Sequence, residues 1–98
     1  MHEMSLVRGL IRQIEQLARQ NGAENVAVVR VKLGPLAHVE PDHFTEHFMQ
    51  AAQGTSVEGA RLEIETTGEL HELTLETIEL ELREDAPAKS PLSEGEQP

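Results

Sequence analysis

The apolar residues of the stretch SLVRGLIRQIEQLARQNG recur every three or four positions, which is the spacing of one helix face. Ser5 is a residue type that caps helix N-termini, and Asn21 and Gly22 are typical of a left-handed stop. Gly9 is unfavourable inside a helix, by up to ~1 kcal/mol relative to Ala, and a close approach by a neighbouring backbone would explain it. The stretch therefore predicts a first helix beginning at Ser5, with an apolar stripe of Leu6, Val7, Leu10, Ile11, Ile14, Leu17 and Ala18.

A different period follows in NVAVVRVKLG, where alternation predicts a strand that ends at Gly34 and Pro35. One face of this strand carries Ala27, Val29, Val31 and Leu33, and the other, partly polar face carries Val26, Val28, Arg30 and Lys32. Helical spacing returns in EPDHFTEHFMQAAQG, with Pro41 at an early helical position and Gly54 as the stop. The buried stripe of this second helix is predicted to be Phe44, Phe48, Ala51 and Ala52.

The last ordered stretch predicts two strands joined by a short turn. ARLEIE alternates, with Leu62 and Ile64 inward, and TTGE resembles a hairpin turn. In LTLETIELEL the apolar parity changes partway along. One extra residue near Glu76 and Thr77 would cause this change, so the sequence predicts a β-bulge there.

The element order is helix, strand, helix, strand, strand, which predicts an α/β (α+β) fold. A strand–helix–strand unit implies a right-handed parallel crossover, and the last strand returns antiparallel. We therefore expect two helices on one face of a three-stranded mixed sheet, with the other face exposed and available to a partner. Residues 1–83 form the predicted domain, and the acidic, Pro- and Ser-rich residues 84–98 form a predicted disordered tail.

Charge and composition exclude several classes of partner and of functional site. The formal net charge of −10 argues against nucleic acid and anionic membranes as partners, and it suits a cation-handling protein or a basic partner. The chain has no cysteine, which excludes disulfides, thiolate zinc sites and cysteine nucleophiles. Without a leader or a long apolar run, we expect a soluble, cytoplasmic protein.

The N-terminal residues Met1, His2 and Glu3 form a candidate metal site. The Met1 amine, the amide nitrogens of His2 and Glu3, and the His2 imidazole could encircle one ion in the square plane that Ni(II) or Cu(II) prefers. These amides precede the predicted helix, so they are expected to be free of its hydrogen bonds. From spacing alone this signal is weak, since any histidine at position two would qualify, and an ordinary N-terminus is the favoured interpretation.

Other histidines carry weaker signals. His43 and His47 are four residues apart on the second helix, a spacing used by metal ligands, with Asp42 and Glu46 on the same side. They flank the apolar stripe without an evident third ligand, which favours a solvated or partly packed pair. His38 and His71 are interpreted as structural or surface residues. No nucleophile–base pair or phosphate loop is present, so the chain is not predicted to be an enzyme.

The opening MHEMSL resembles that of the HypA/HybF family of [NiFe]-hydrogenase maturation nickel metallochaperones. The segments VRVKLGPLAHVEPDHF, QGTSVEGARLEIE and ELTLETIELEL are also similar to that family's pattern. Together these segments cover nearly all of residues 1–83.

The resemblance implies a role for the N-terminus. His2 would be a nickel ligand, the Met1 amine and the backbone of His2 and Glu3 would complete the site, and the Glu3 side chain would contact the site or a partner. Glu40 is a weaker candidate. Ni(II) would be bound transiently and delivered to a hydrogenase large subunit, together with a maturation GTPase.

The chain departs from the family pattern between the second and third strands. The family normally carries a zinc module with two CxxC pairs there, whereas this sequence has TTGE and no cysteine. No zinc is therefore expected. A metal-free docking or regulatory module of the same pathway stays open as the alternative function, and swapping of the shortened hairpin stays open as a route to a homo-oligomer.

Overall fold

The computed structural model describes residues 2–82, with the side chains of residues 3–82. The tail predicted for residues 84–98 lies outside the described residues. The elements in chain order are α1 (His2–Gln20), β1 (Asn25–Leu33), a 3₁₀ turn (Pro35–Ala37), α2 (Pro41–Ala52), β2 (Arg61–Thr66) and β3 (Leu73–Glu81).

The three strands form one mixed sheet with the order β2-β1-β3. β1 pairs in parallel with β2, to which it is connected through α2, and antiparallel with β3. A parallel pair needs such a long crossover, since a tight turn can only join antiparallel strands. The predicted α+β fold with a mixed three-stranded sheet is confirmed.

The core lies between one face of this sheet and both helices. Phe44 and Phe48 of α2 are fully buried, with ring centroids 6.4 Å apart, and they pack with Val29 and Val31 of β1 and Ile14 of α1. The aliphatic side chains of β1 supply the inner face of the sheet. Packing of two helices on one sheet face is therefore confirmed, and among residues 2–82 no helix is long and apolar enough to span a membrane.

The predicted bulge in β3 is present. Thr77 pairs with Arg30 and Leu75 pairs with Val31, so Glu76 is the extra residue. A second register shift falls at Ala27 of β1, between Val26 and Val28. The second shift was not predicted, and it brings Val26 into the core, although strict alternation had placed Val26 on the partly polar face.

The predicted hairpin between β2 and β3 is wrong, because β1 lies between these two strands. Residues 67–72, here named the crossing segment, pass over the end of β1 instead. The N–H of Thr67 donates to the carbonyl of Leu33 at 3.1 Å, and the N–H of Gly34 donates to the carbonyl of Glu72 at 2.9 Å. Because β1 is the most apolar strand, burying it in the centre covers more apolar surface than a β2–β3 hairpin would.

Candidate metal site

The first helix starts three residues earlier than predicted. α1 begins at His2, and Ser5 lies exposed within the helix, so the predicted cap at Ser5 is wrong. Glu3 favours this early start, since a carboxylate in the first turn interacts well with the positive end of the helix dipole. The Met1-His2-Glu3 motif therefore leads directly into a helix rather than into a preceding loop.

The amides of His2 and Glu3 are nevertheless available. The first four N–H groups of an α-helix have no acceptor within the helix, so these two amides lack one even though both residues are helical. In a helix, however, successive N–H groups run parallel to the axis and do not converge on one point. A planar chelate would therefore require the backbone around the amides of His2 and Glu3 to leave helical geometry. Met1 and the His2 side chain lie outside the described part of the chain.

The Glu3 side chain reaches across to α2. Its Oε2 lies 2.5 Å from Nδ1 of His47, and both atoms are shielded from water. The two side chains are 27% and 33% exposed, so the contact sits at the rim of the helix pair rather than in its core. Neither atom has a hydrogen-bond partner of acceptable geometry among the described residues. The close contact between the Glu3 carboxylate and the His47 imidazole is therefore the polar interaction found for both atoms.

His43 and His47 have different surroundings, despite their shared helix face. His43 is exposed, whereas His47 is partly buried against the start of α1. The sequence predicted that these histidines would be solvated or partly packed, and the exposed His43 and partly buried His47 agree with this prediction. The link from His47 to Glu3 was missed, because no local pattern predicts which side of α2 faces α1. The only available signal was that His47 directly precedes the buried Phe48.

The remaining sequence candidates do not join this site. Glu40 is the exposed N-cap residue of α2 and makes no side-chain cap. His38 has a left-handed backbone with φ of 56° and ends the 3₁₀ turn. His71 lies in the crossing segment, against Gly34. Within residues 3–82, no three His, Asp or Glu side chains are grouped closely enough to hold a metal ion.

The outer face of the sheet carries paired charges. Arg30 of β1 binds Glu63 of β2 and Glu79 of β3, each at 2.8 Å, and Lys32 lies 4.0 Å from Glu76. The hydrogen bond from Arg30 lowers the pKa of the Glu63 carboxyl, and the bonds to Glu79 and Glu63 raise the pKa of Arg30. The outer face, where the sequence predicted room for a partner, is thus exposed, but the guanidinium of Arg30 at its centre is already paired with two carboxylates of the sheet.

The fold is shared with a solved metallochaperone structure. The solution structure of the Ni metallochaperone HypA from Helicobacter pylori superposes with a TM-score of 0.72, covering 85% of this chain and 100% of that chain. The two sequences are 20% identical, so this likeness concerns the fold alone. The class is therefore a small α+β domain of the kind found in that protein.

The chain belongs to the HypA family, described as "Hydrogenase/urease nickel incorporation, metallochaperone, hypA", which it matches over residues 1–72. The hydrogenase maturation factor HypA of Desulfitobacterium hafniense is 43% identical over 65 residues, and that of Rhizobium leguminosarum bv. viciae is 44% identical over 64 residues. The chain covers about 57% of the length of each, and these alignments span 66% and 65% of this chain, respectively. The family is one of metallochaperones, which agrees with the prediction that the chain is not an enzyme.

The match also shows where this chain departs from its relatives. The family match ends at residue 72, immediately before β3, so the resemblance assigned to ELTLETIELEL lies outside the matched range except for its first residue, Glu72. The absence of cysteine agrees with the absence of a CxxC module. Since that module's ligands are thiolates, the residues present do not fit its zinc ion.

Proposed function

We propose that this chain binds one Ni(II) ion at its N-terminus and delivers it to the large subunit of a [NiFe]-hydrogenase. The donors would be the Met1 amine, the His2 imidazole and the backbone amides of His2 and Glu3. The observation that carries this proposal is the extent of the family match, which begins at residue 1 and so includes the Met1-His2-Glu3 motif.

Two physical properties of the chain support a delivery role. The amides of His2 and Glu3 have no acceptor within α1, so binding them to an ion sacrifices no helical hydrogen bond. The net charge of −10 also draws cations towards the protein and lowers the cost of adding a positive ion.

The proposed partners are a maturation GTPase and the hydrogenase large subunit, and the proposed compartment is the cytoplasm. Nickel is the cargo in this proposal and is bound transiently. Because the chain has no cysteine, its nickel binding would operate without any coupling to a zinc site.

A calorimetric Ni(II) titration tests the proposal. The untagged chain is compared with a form extended by one N-terminal glycine and with His2→Ala. The extension moves the amine away from His2, and the substitution removes the imidazole, so both are expected to lose stoichiometric binding. His43→Ala is the matched control, since it removes an exposed histidine outside the motif, and it should still bind one ion. Retention of one tightly bound ion by both altered forms would show that the terminal site is wrong.

A second candidate function is a metal-free docking or regulatory module of the same pathway. It is favoured by the missing cysteines. In this case partner binding would be the same in the untagged, extended and His2→Ala forms, and none of the three would bind nickel. A pull-down of the maturation GTPase with the three forms, next to the titration, separates the two functions.

A further inference from the structure

The contact between Glu3 and His47 connects the proposed nickel site to the folded domain. Glu3 belongs to the first turn of α1, and His47 belongs to α2, one residue before the fully buried Phe48. His47 is therefore held in place by core packing, whereas the first turn of a helix frays easily when it has no tertiary partner.

We propose that His47 is a positioning residue for the N-terminal nickel site. It anchors the Glu3 carboxylate on α2 and so fixes the point from which residues 1 and 2 extend. This inference rests on the proposed function, because the site that it positions is the proposed nickel site.

The anchor has a physical effect on metal binding. A planar chelate requires the backbone around the amides of His2 and Glu3 to leave helical geometry, and each freely moving residue adds an entropic cost to that rearrangement. With the Glu3 side chain held by His47, the rearrangement is confined to the few bonds on the N-terminal side of the Glu3 Cα. Partners outside the metal-ligand set that orient a ligand typically change metal affinity about 10- to 100-fold.

The geometry assigns His47 to this role rather than to direct ligation. Its Nδ1 lies 2.5 Å from the Glu3 carboxylate and is shielded from water, so this nitrogen is not open to an ion. Water exclusion also strengthens the interaction between the two side chains, because the surroundings are less polar than bulk solvent. His43, on the same helix face but exposed, has no such contact with residues 3–82 and provides a matched comparison.

The test compares Ni(II) affinity and the nickel absorption spectrum in four forms of the untagged chain. His47→Ala removes the anchor and should bind one ion about 10- to 100-fold more weakly than the wild-type chain. His47→Asn supplies a side-chain amide N–H near the position of Nδ1 but has no imidazole, so it should bind within about threefold of the wild type. His43→Ala should match the wild type, and all four spectra should be alike, since no ligand is changed.

A double-mutant cycle separates positioning from a general loss of structure. Glu3→Ala keeps its backbone amide but loses the carboxylate, so it should weaken nickel binding about as much as His47→Ala. The double variant Glu3→Ala/His47→Ala should be no weaker than either single variant, because both remove the same contact. Glu3→Ala also replaces His47→Ala in the comparison if the latter does not fold, as judged by circular dichroism.

Several results would overturn the inference. Nickel binding by His47→Ala at wild-type strength or tighter would show that the anchor does not assist the site. A loss in His47→Asn as large as that in His47→Ala, with a changed spectrum, would show direct ligation instead. If the losses of nickel affinity in the two single variants added up in the double variant, Glu3 and His47 would act independently of each other. If the wild-type chain binds no nickel, the proposed function fails and this inference fails with it, whereas a wild-type site that is unaffected by His47→Ala overturns the inference alone.

Discussion

At the end of β1, Gly34 lies where the crossing segment passes over the sheet. A Cβ built on Gly34 would lie 2.1 Å from the carbonyl oxygen of His71 and 2.9 Å from its carbonyl carbon. These are backbone atoms, and a neighbouring backbone bond, from the N–H of Gly34 to the carbonyl of Glu72, holds the segment in place. The close approach of two backbones therefore requires glycine at this position.

Gly34→Ala is expected to destabilise the protein by about 1–3 kcal/mol, because the crossing segment must move away from β1 to admit the methyl group. Urea unfolding measured by circular dichroism gives the difference. Gly68→Ala is the matched control in the same segment, since no heavy atom lies within 4 Å of its added Cβ. An equal loss in both variants would contradict the close approach as the cause.

The ion pair between Arg30 and Glu63 is expected to make a pH-dependent contribution to the stability of the fold. Its hydrogen bond holds the pKa of Glu63 below the usual value of 4.5. A lowered folded-state pKa means that the stabilisation is present above the unfolded-state pKa and is lost as the pH falls through the folded-state pKa. Arg30→Gln should therefore lower the melting temperature at pH 7 by more than at pH 3.

Melting curves at the two pH values measure this difference, and the expected shift is small because exposed ion pairs contribute little. Arg12→Gln is the control, since Arg12 is exposed on α1 and makes no ion pair within the described part of the chain. If Arg30→Gln lowered the melting temperature equally at pH 7 and pH 3, its effect would come from packing rather than from charge.

At the scale of the element, α1 is longer than its sequence pattern indicated and contains a glycine that the structure does not require. The helix runs through Gly9, and a Cβ at this position would have no heavy atom within 4 Å. The close backbone approach that would have explained this glycine is not found. By contrast, Gly22 follows the helix with φ of 71°, where a side chain is strained.

Gly9→Ala should stabilise the protein by about 1 kcal/mol, since alanine loses less backbone entropy in a helix and meets no neighbour. Gly22→Ala should instead destabilise it by about 1 kcal/mol, because alanine disfavours the left-handed backbone. Both are measured by chemical unfolding. A loss of stability in Gly9→Ala would mean that another chain or segment packs on this part of α1.

At the scale of the whole molecule, the described residues form one sheet with two helices packed on it, and the chain has no cysteine for a thiolate zinc module. One core holds both helices against the sheet, and it is made of aliphatic side chains and two phenylalanines. The crossing segment, where the family resemblance places the zinc module, makes backbone hydrogen bonds to β1 and to the 3₁₀ turn. Among the described residues, apolar burial is therefore the main stabilising contribution, and no three His, Asp or Glu side chains are grouped to hold a structural metal.

Metal removal should leave this stability unchanged. The melting temperature in excess EDTA is expected to equal that in buffer within about 1 °C, since zinc-dependent domains instead lose their folding energy with the metal. Added zinc should likewise have no stabilising effect at stoichiometric concentration. A melting temperature that is several degrees lower in EDTA would contradict this prediction, because it would show that a bound metal stabilises the fold.

The sequence by itself determined the elements, the apolar faces, the β3 bulge and the family, because each depends on local periodicity or on a motif read along the chain. Phe44 and Phe48 were placed in the core by helical spacing alone, and the parity change located Glu76. The N-terminal metal motif was also read from sequence, although its assembly remains a prediction.

Tertiary structure alone decided how distant segments meet. The place of β1 between β2 and β3 turned the expected hairpin into a crossing segment, and this made glycine necessary at position 34. The packing of α1 on α2 brings Glu3 into contact with His47. This contact lies in the first turn of α1, which begins at His2. Local patterns specify which face of an element is apolar, but the neighbour that covers each edge depends on the burial of the whole chain at once.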